Sequence, residues 1–119
     1  MNNKDRYLKL KDKLISDMQR IDKILNTMDK YSVINDNDNL ETIVFKKYLE
    51  LENVNMVAEY LKVNGYRIKT ESHAGQRQYI GRDITDILIR DDVDVDEELK
   101  DVVQYLQEKN YNAMLKRWG

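Results

Sequence analysis

Residues 4–30 read KDRYLKLKDKLISDMQRIDKILNTMDK, with apolar side chains at positions 7, 14, 18, 21, 25 and 28. Steps of three and four keep these residues on one face of an α-helix, and Lys11 is the one polar side chain in the seam. Tyr7, Leu14, Met18, Ile21, Leu25 and Met28 form the seam, while Leu8, Leu10, Ile15 and Ile24 widen it beyond the two positions per heptad of a strict two-stranded coil. A helix of about 26 residues spans roughly 39 Å, more than so small a domain needs to cover itself. Part of it is therefore expected to pair with a second copy through Leu14, Met18, Ile21, Leu25 and Met28, giving a homodimer or a higher homo-oligomer.

The rest of the chain supports a mainly α fold. There is no Pro, and the four Gly stand at 65, 75, 81 and 119, so no helix breaker occurs in the first 64 residues. The stretch SVINDNDN, residues 32–39, gathers turn formers and marks a linker between a helix over 1–31 and a compact module over 40–119. Asp38 and Glu41 have the spacing of a capping box for a helix over 39–51, with Ile43, Val44 and Tyr48 on its inner face. Asn53 or Asn55 can cap a third helix carrying Met56, Val57, Tyr60 and Leu61, which Gly65 ends.

Between Gly65 and Gly81 the period changes. YRIKT alternates, SHAG turns and QRQYI can return, a pattern that predicts a β-hairpin over 66–80 with Arg67, Lys69 and Arg77 on its polar face. RDITDILIR then predicts a short helix with Ile84, Ile87 and Leu88 inward and Arg82, Thr85, Asp86 and Arg90 toward solvent. Asp94 and Glu97 suggest a second capping box, followed by a buried stripe of Leu99, Val102, Val103 and Leu106. Tyr111, Met114, Leu115 and Trp118 repeat the spacing in what reads as a last short packed helix.

The formal net charge of −2 hides a strong segregation. Residues 1–30 carry +3 and residues 66–90 carry +2, whereas 91–108 carry −7. Arg67, Lys69, Arg77 and Arg82 share sixteen residues with one acid, Glu71, and with Tyr66, His73, Gln76, Gln78 and Tyr79. These are side chains that contact phosphates and base edges, so the segment is the expected contact with double-stranded DNA. Four cations give modest, salt-sensitive affinity on one copy and more on a dimer that presents two.

Other chemistry finds little support. Asp92, Asp94 and Asp96 alternate as in a calcium loop, but the sixth position is Glu97 and the twelfth Val103; Asp36 and Asp38 fail likewise, with Lys47 at the twelfth. No metal or other cofactor is expected. The lone His73 adjoins Ser72, and adjacent residues do not normally meet as nucleophile and base; Gly75 and Gly81 are isolated and cradle no phosphate. An enzyme is not expected. Without Cys, without a long apolar run and without a signal-like N-terminus, the chain reads as cytoplasmic, with no membrane partner.

The string VAEYLKVNGYRIKTESHAGQRQYIGRDITDIL, residues 57–88, resembles the helix-turn-helix segment of phage and mobile-element proteins, including the DNA-binding ends of large serine recombinases. Ala58, Tyr60, Leu61, Asn64, Gly65, Tyr66, Arg67 and Lys69 carry the likeness, followed by a helix opened by Asp83 and Ile84. The resemblance implies a supporting helix over 57–64 and a recognition helix over 81–90 in the major groove. The connection between them exceeds the three or four residues of a plain helix-turn-helix, implying an elaborated or winged form. Nothing in the chain reads as a recombinase catalytic domain. The likeness therefore implies a reader without the chemistry: a regulator, a packaging factor such as a terminase small subunit, or an accessory protein. Arg67, Lys69 and Arg77 are the expected phosphate contacts, and Gln78, Arg82 and Thr85 the expected base-edge contacts. Two other roles compete: a phage-type inhibitor that binds a protein through the acids of residues 91–98, which include Asp91 and Glu98, and a purely structural helical assembly.

Overall fold

The computed structural model describes residues 2–71 and 75–118, the side chains of Met114, Leu115, Arg117 and Trp118 excepted. The chain is mainly helical: α1 (Asn3–Lys30), α2 (Leu40–Leu51), α3 (Val54–Val63), β1 (Ile68–Lys69), β2 (Gln76–Arg77), α4 (Gly81–Leu88) and α5 (Glu97–Trp118). Its extents of 69 × 36 × 24 Å reflect α1, which projects from a module built of the other elements. No helix among the described residues is long and apolar enough to cross a membrane.

The Asn2 side chain caps α1 by accepting the Asp5 N–H at 2.9 Å. Only the C-terminal third of this helix meets the module. Thr27 is buried, Ile24 and Met28 pack against the core, and residues 2–23 are exposed. Two contacts lay α5 antiparallel against that third: Lys30 Nζ reaches Glu98 at 2.6 Å, and the Arg20 guanidinium bonds the Tyr105 hydroxyl at 3.2 Å and covers its ring. The neighbouring Glu98 carboxylate raises the Lys30 ammonium, and the hydrogen bond from Arg20 lowers the Tyr105 phenol.

Residues 32–39 are tied to α2 and do not hang free. Lys46, buried on α2, donates to the Val33 carbonyl at 2.8 Å and to the Asp38 carboxylate at 2.6 Å, and Asp38 also accepts the Asn35 N–H. Asp38 is thus occupied elsewhere, and the expected Asp38–Glu41 box gives way to Asn39, whose side chain accepts the Thr42 N–H at 2.7 Å.

The module's core runs through α2. Val44, Phe45, Tyr48 and Leu49 are all buried, because α3, α4 and α5 each pack on this helix and leave it little solvent-facing side. Val57, Ala58 and Leu61 of α3 close onto Ile84, Ile87 and Leu88 of α4, and Leu99, Val102, Val103 and Leu106 of α5 cover the other side. Met56 stays half-exposed, outside the stripe expected for α3. Burying apolar side chains of this size stabilises by about 1.5–3 kcal/mol each before conformational entropy is charged.

At its C-terminus the chain departs from the sequence pattern. α5 runs unbroken through Asn110 to Trp118, with no separate last helix, and Tyr111 is exposed. The side chains of Met114, Leu115 and Trp118, expected to pack, lie outside the described residues. The Asp94–Glu97 box is also absent. α5 starts at Glu97, and Asp94 is held by α2: its N–H donates to Glu41 Oε2 at 2.9 Å and its carbonyl accepts from the Asn39 amide.

Candidate nucleic-acid interface

The segment between α3 and α4 is built on two glycine turns and one clamp. Gly65 follows the C-cap of α3 at φ +84, where the Tyr66 N–H closes onto the Leu61 carbonyl at 2.9 Å. Gly75, at φ +70, accepts the Thr70 N–H across the hairpin. The intervening Ser72, His73 and Ala74 of the expected turn lie outside the described residues. Strands β1 and β2 pair antiparallel with Ile68 opposite Arg77 and Lys69 opposite Gln76.

That register corrects the expected polar face. Residues directly opposite share a face, so Arg77 lies with Ile68, while Arg67 and Lys69 occupy the other side. The Ile68 face borders a groove of about 330 Å³ whose lining includes Leu40, Tyr79, Asp83, Ile87 and Arg90. There Arg77 grips Asp83 with two bonds, Nη1 to Oδ2 at 2.8 Å and Nη2 to Oδ1 at 2.7 Å. Asp83 Oδ2 also accepts the Ile80 N–H at 2.9 Å and closes the first turn of α4. The Arg77 guanidinium holds the Asp83 carboxyl below the ordinary carboxylate range, and the Asp83 carboxylate raises the guanidinium in turn. Burial, with Asp83 adding to it, raises the Tyr79 phenol beside them.

The remaining expected contacts divide sharply. Lys69, Gln78 and Arg82 are exposed and bond to no side chain among the described residues. Arg67 is exposed as well, but its guanidinium donates to the Lys62 carbonyl at 3.1 Å and the Tyr66 carbonyl at 2.7 Å, covering the end of α3. Thr85, expected toward solvent, is half-buried; its hydroxyl bonds the Gly81 carbonyl, and it lines a second groove with Tyr48, Asn53 and Asn110. Arg77 and Thr85 therefore face different grooves. Arg90, omitted from the expected contacts, is exposed one turn beyond Asp86, and its charge was the only signal for it.

Gly81 opens α4 where it crosses the start of α3. A Cβ at this position would meet Oδ1 of the exposed Asn55 side chain, which would have to swing aside, and would press on Val54. Asn53 caps α3 by accepting the Met56 N–H at 3.0 Å.

Residues 91–98 are tied to the fold by two carboxylates, those of Asp96 and Glu98, and by the backbone of Asp91 and Asp94. Asp94 binds α2, Asp96 accepts the Tyr31 hydroxyl at 3.2 Å, Glu98 binds Lys30, and the Asp91 carbonyl accepts from Lys100. Burial, reinforced by Asp96, raises the Tyr31 phenol. Among the described residues no group of acids or His is placed to hold a metal ion.

These features define a helical module, with a hairpin inserted between two crossed helices, carried on a projecting amphipathic helix. No known protein family, curated protein or solved structure matches the chain.

Proposed function

We propose that the protein binds double-stranded DNA as an oligomer, with α3, the β1–β2 hairpin and α4 as the reading unit and α1 as the element that joins copies. One observation carries this reading: the bidentate Arg77–Asp83 clamp makes the hairpin and the first turn of α4 one rigid edge, beside which Lys69, Gln78 and Arg82 stand exposed. Cations and amides on a rigid edge reach phosphates and base edges at little cost in ordering. The likeness of residues 57–88 to phage and mobile-element readers supports the same assignment and suggests a regulator or a packaging or accessory factor.

The proposed roles follow from these positions. Arg67 and Lys69, on the outer hairpin face, contact phosphates, and Gln78 and Arg82 contact base edges. Arg77 contributes chiefly by positioning the hairpin, with nearly half of its side chain still open to a phosphate. Thr85 reaches a base only from the rim of its groove. The rival reading, a protein inhibitor acting through residues 91–98, is weakened because the Asp96 and Glu98 carboxylates already bond within the chain.

The test is a gel shift on random duplex across a salt series. The wild-type chain should bind at low salt and lose affinity steeply as salt rises. Replacing Arg67, Lys69 and Arg82 together by Ala should abolish the shift with an unchanged circular dichroism spectrum. Unchanged affinity in that triple variant rejects the interface.

A further inference from the structure

We infer that the open face of α1 is covered by α1 of a second copy running antiparallel, which sets the two modules at opposite ends of the pair. The inference rests on the oligomer part of the reading above and is independent of what the module binds.

The face is apolar, long and left open by the chain's own fold. Tyr7, Leu14, Met18, Ile21 and Leu25 lie along one seam, each more than half exposed, with Leu8, Leu10 and Ile15 beside them. α5 packs only along the last third of α1, on the side of Ile24 and Thr27, and leaves the Ile21 and Leu25 side uncovered. The seam's 3.5-residue repeat fits another helix with the same repeat, and the second copy supplies one.

Charge decides the direction. Residues 3–13 carry Lys4, Arg6, Lys9, Lys11 and Lys13 against Asp5 and Asp12, whereas residues 14–30 balance their acids and bases. The acid lies at the other end, where Glu98 meets Lys30 and where Asp101 lies beside Arg20 and Lys23. A parallel pair would set one basic half against the other and bury Lys11 against Lys11. An antiparallel pair centred near Ser16 sets Leu14 against Met18 and Leu25 against Tyr7. It also places Lys11 by Ile21, between Asp17 and Asp22, and brings the basic half of each copy to the acidic N-terminal end of the other's α5.

The chain has no Cys, so Asn3→Cys gives one spin label per copy, at an exposed helix end. The full-length protein should have the mass of a dimer in solution. Its label-to-label distance should be about 40 Å, from 26 residues of axial offset at 1.5 Å each. A second label at Lys9→Cys should give a shorter distance of roughly 25 Å, because its axial offset is smaller. A dimer with both distances under about 20 Å, as helix axes roughly 10 Å apart would give in parallel, overturns the orientation and leaves the oligomer reading standing. A monomer mass at tens of micromolar overturns both.

Discussion

Arg77 on β2 and Asp83 on α4 face each other with two charge-assisted bonds of 2.7 and 2.8 Å, and the same carboxylate holds the Ile80 N–H. Asp83 thus serves two partners and Arg77 chiefly one. Replacing Arg77 by Ala should free the hairpin while α4 keeps its cap; replacing Asp83 by Ala should loosen both. Amide exchange reads the difference. The Ile68 and Thr70 N–H groups, which lie in the hydrogen-bonded pairs of the hairpin, should exchange faster in both variants, and the first turn of α4 faster only in the Asp83 variant. Equal protection in both variants would show that the clamp does not organise this edge.

Acid should act through the same carboxylate and through Asp38. Arg77 lowers the Asp83 carboxyl; at Asp38 burial pushes upward, but the Lys46 ammonium and the Asn35 N–H outweigh it. Both groups therefore titrate lower folded than unfolded. Their contribution is fully present above the ordinary carboxylate value of 3.8 and is lost as pH falls through the lowered folded values. Unfolding should take up protons there, and stability should fall below about pH 4 while remaining flat with respect to these groups from pH 5 to 7. Carrying Asp38→Asn and Asp83→Asn together should flatten the acid limb in chemical denaturation; an unchanged limb assigns it to other groups.

Lys46 is the one buried cation among the described residues, at 7% side-chain exposure, and Asp38 beside it is at 13%. Lys46→Ala strands that carboxylate with a single backbone donor and leaves the Val33 carbonyl without its partner. The cost should be about 2–3 kcal/mol in urea denaturation. Lys46→Ala and Asp38→Ala combined should cost less than their sum by about 1 kcal/mol or more, because the second change removes the stranded charge. Additive costs would mean that the pair is not coupled.

Much of the fold is legible in the sequence, and the failures share one physical cause. The α1 seam, the helix after SVINDNDN, the Gly65 stop and the short helix after Gly81 depend on spacing and breakers within a few residues. Burial of Phe45, Lys46 and Leu49 does not, because a helix surrounded by three others shows no single stripe. The capping boxes failed because Asp38 and Asp94 take partners set by the tertiary fold, Asp94 from residues more than fifty positions away. The placement of Arg77 depended on strand register: a slip of one residue moves every side chain across the sheet, and alternation alone does not set it. The exposed Lys69, Gln78 and Arg82 were recognisable from composition, whereas the positioning role of Arg77 required the structure.

Glu52 joins α2 to α3 in the left-handed region, at φ 47 and ψ 36. A side chain with a Cβ pays about 1 kcal/mol for that conformation, and glycine does not. What Glu52 gains in return is one long bond, from the Asn110 amide at 3.4 Å. Glu52→Gly should therefore raise stability by about 0.5 kcal/mol, the relieved strain being partly offset by the greater freedom of glycine in the unfolded chain. Asn tolerates this region better than most residues, so Glu52→Asn should fall between Gly and the native residue. A β-branched Val fits it worst and should lose about 1 kcal/mol or more. Urea midpoints in the order Gly, Asn, Glu, Val test the backbone at this turn directly, and a Val variant as stable as the Gly variant would exclude a left-handed residue there.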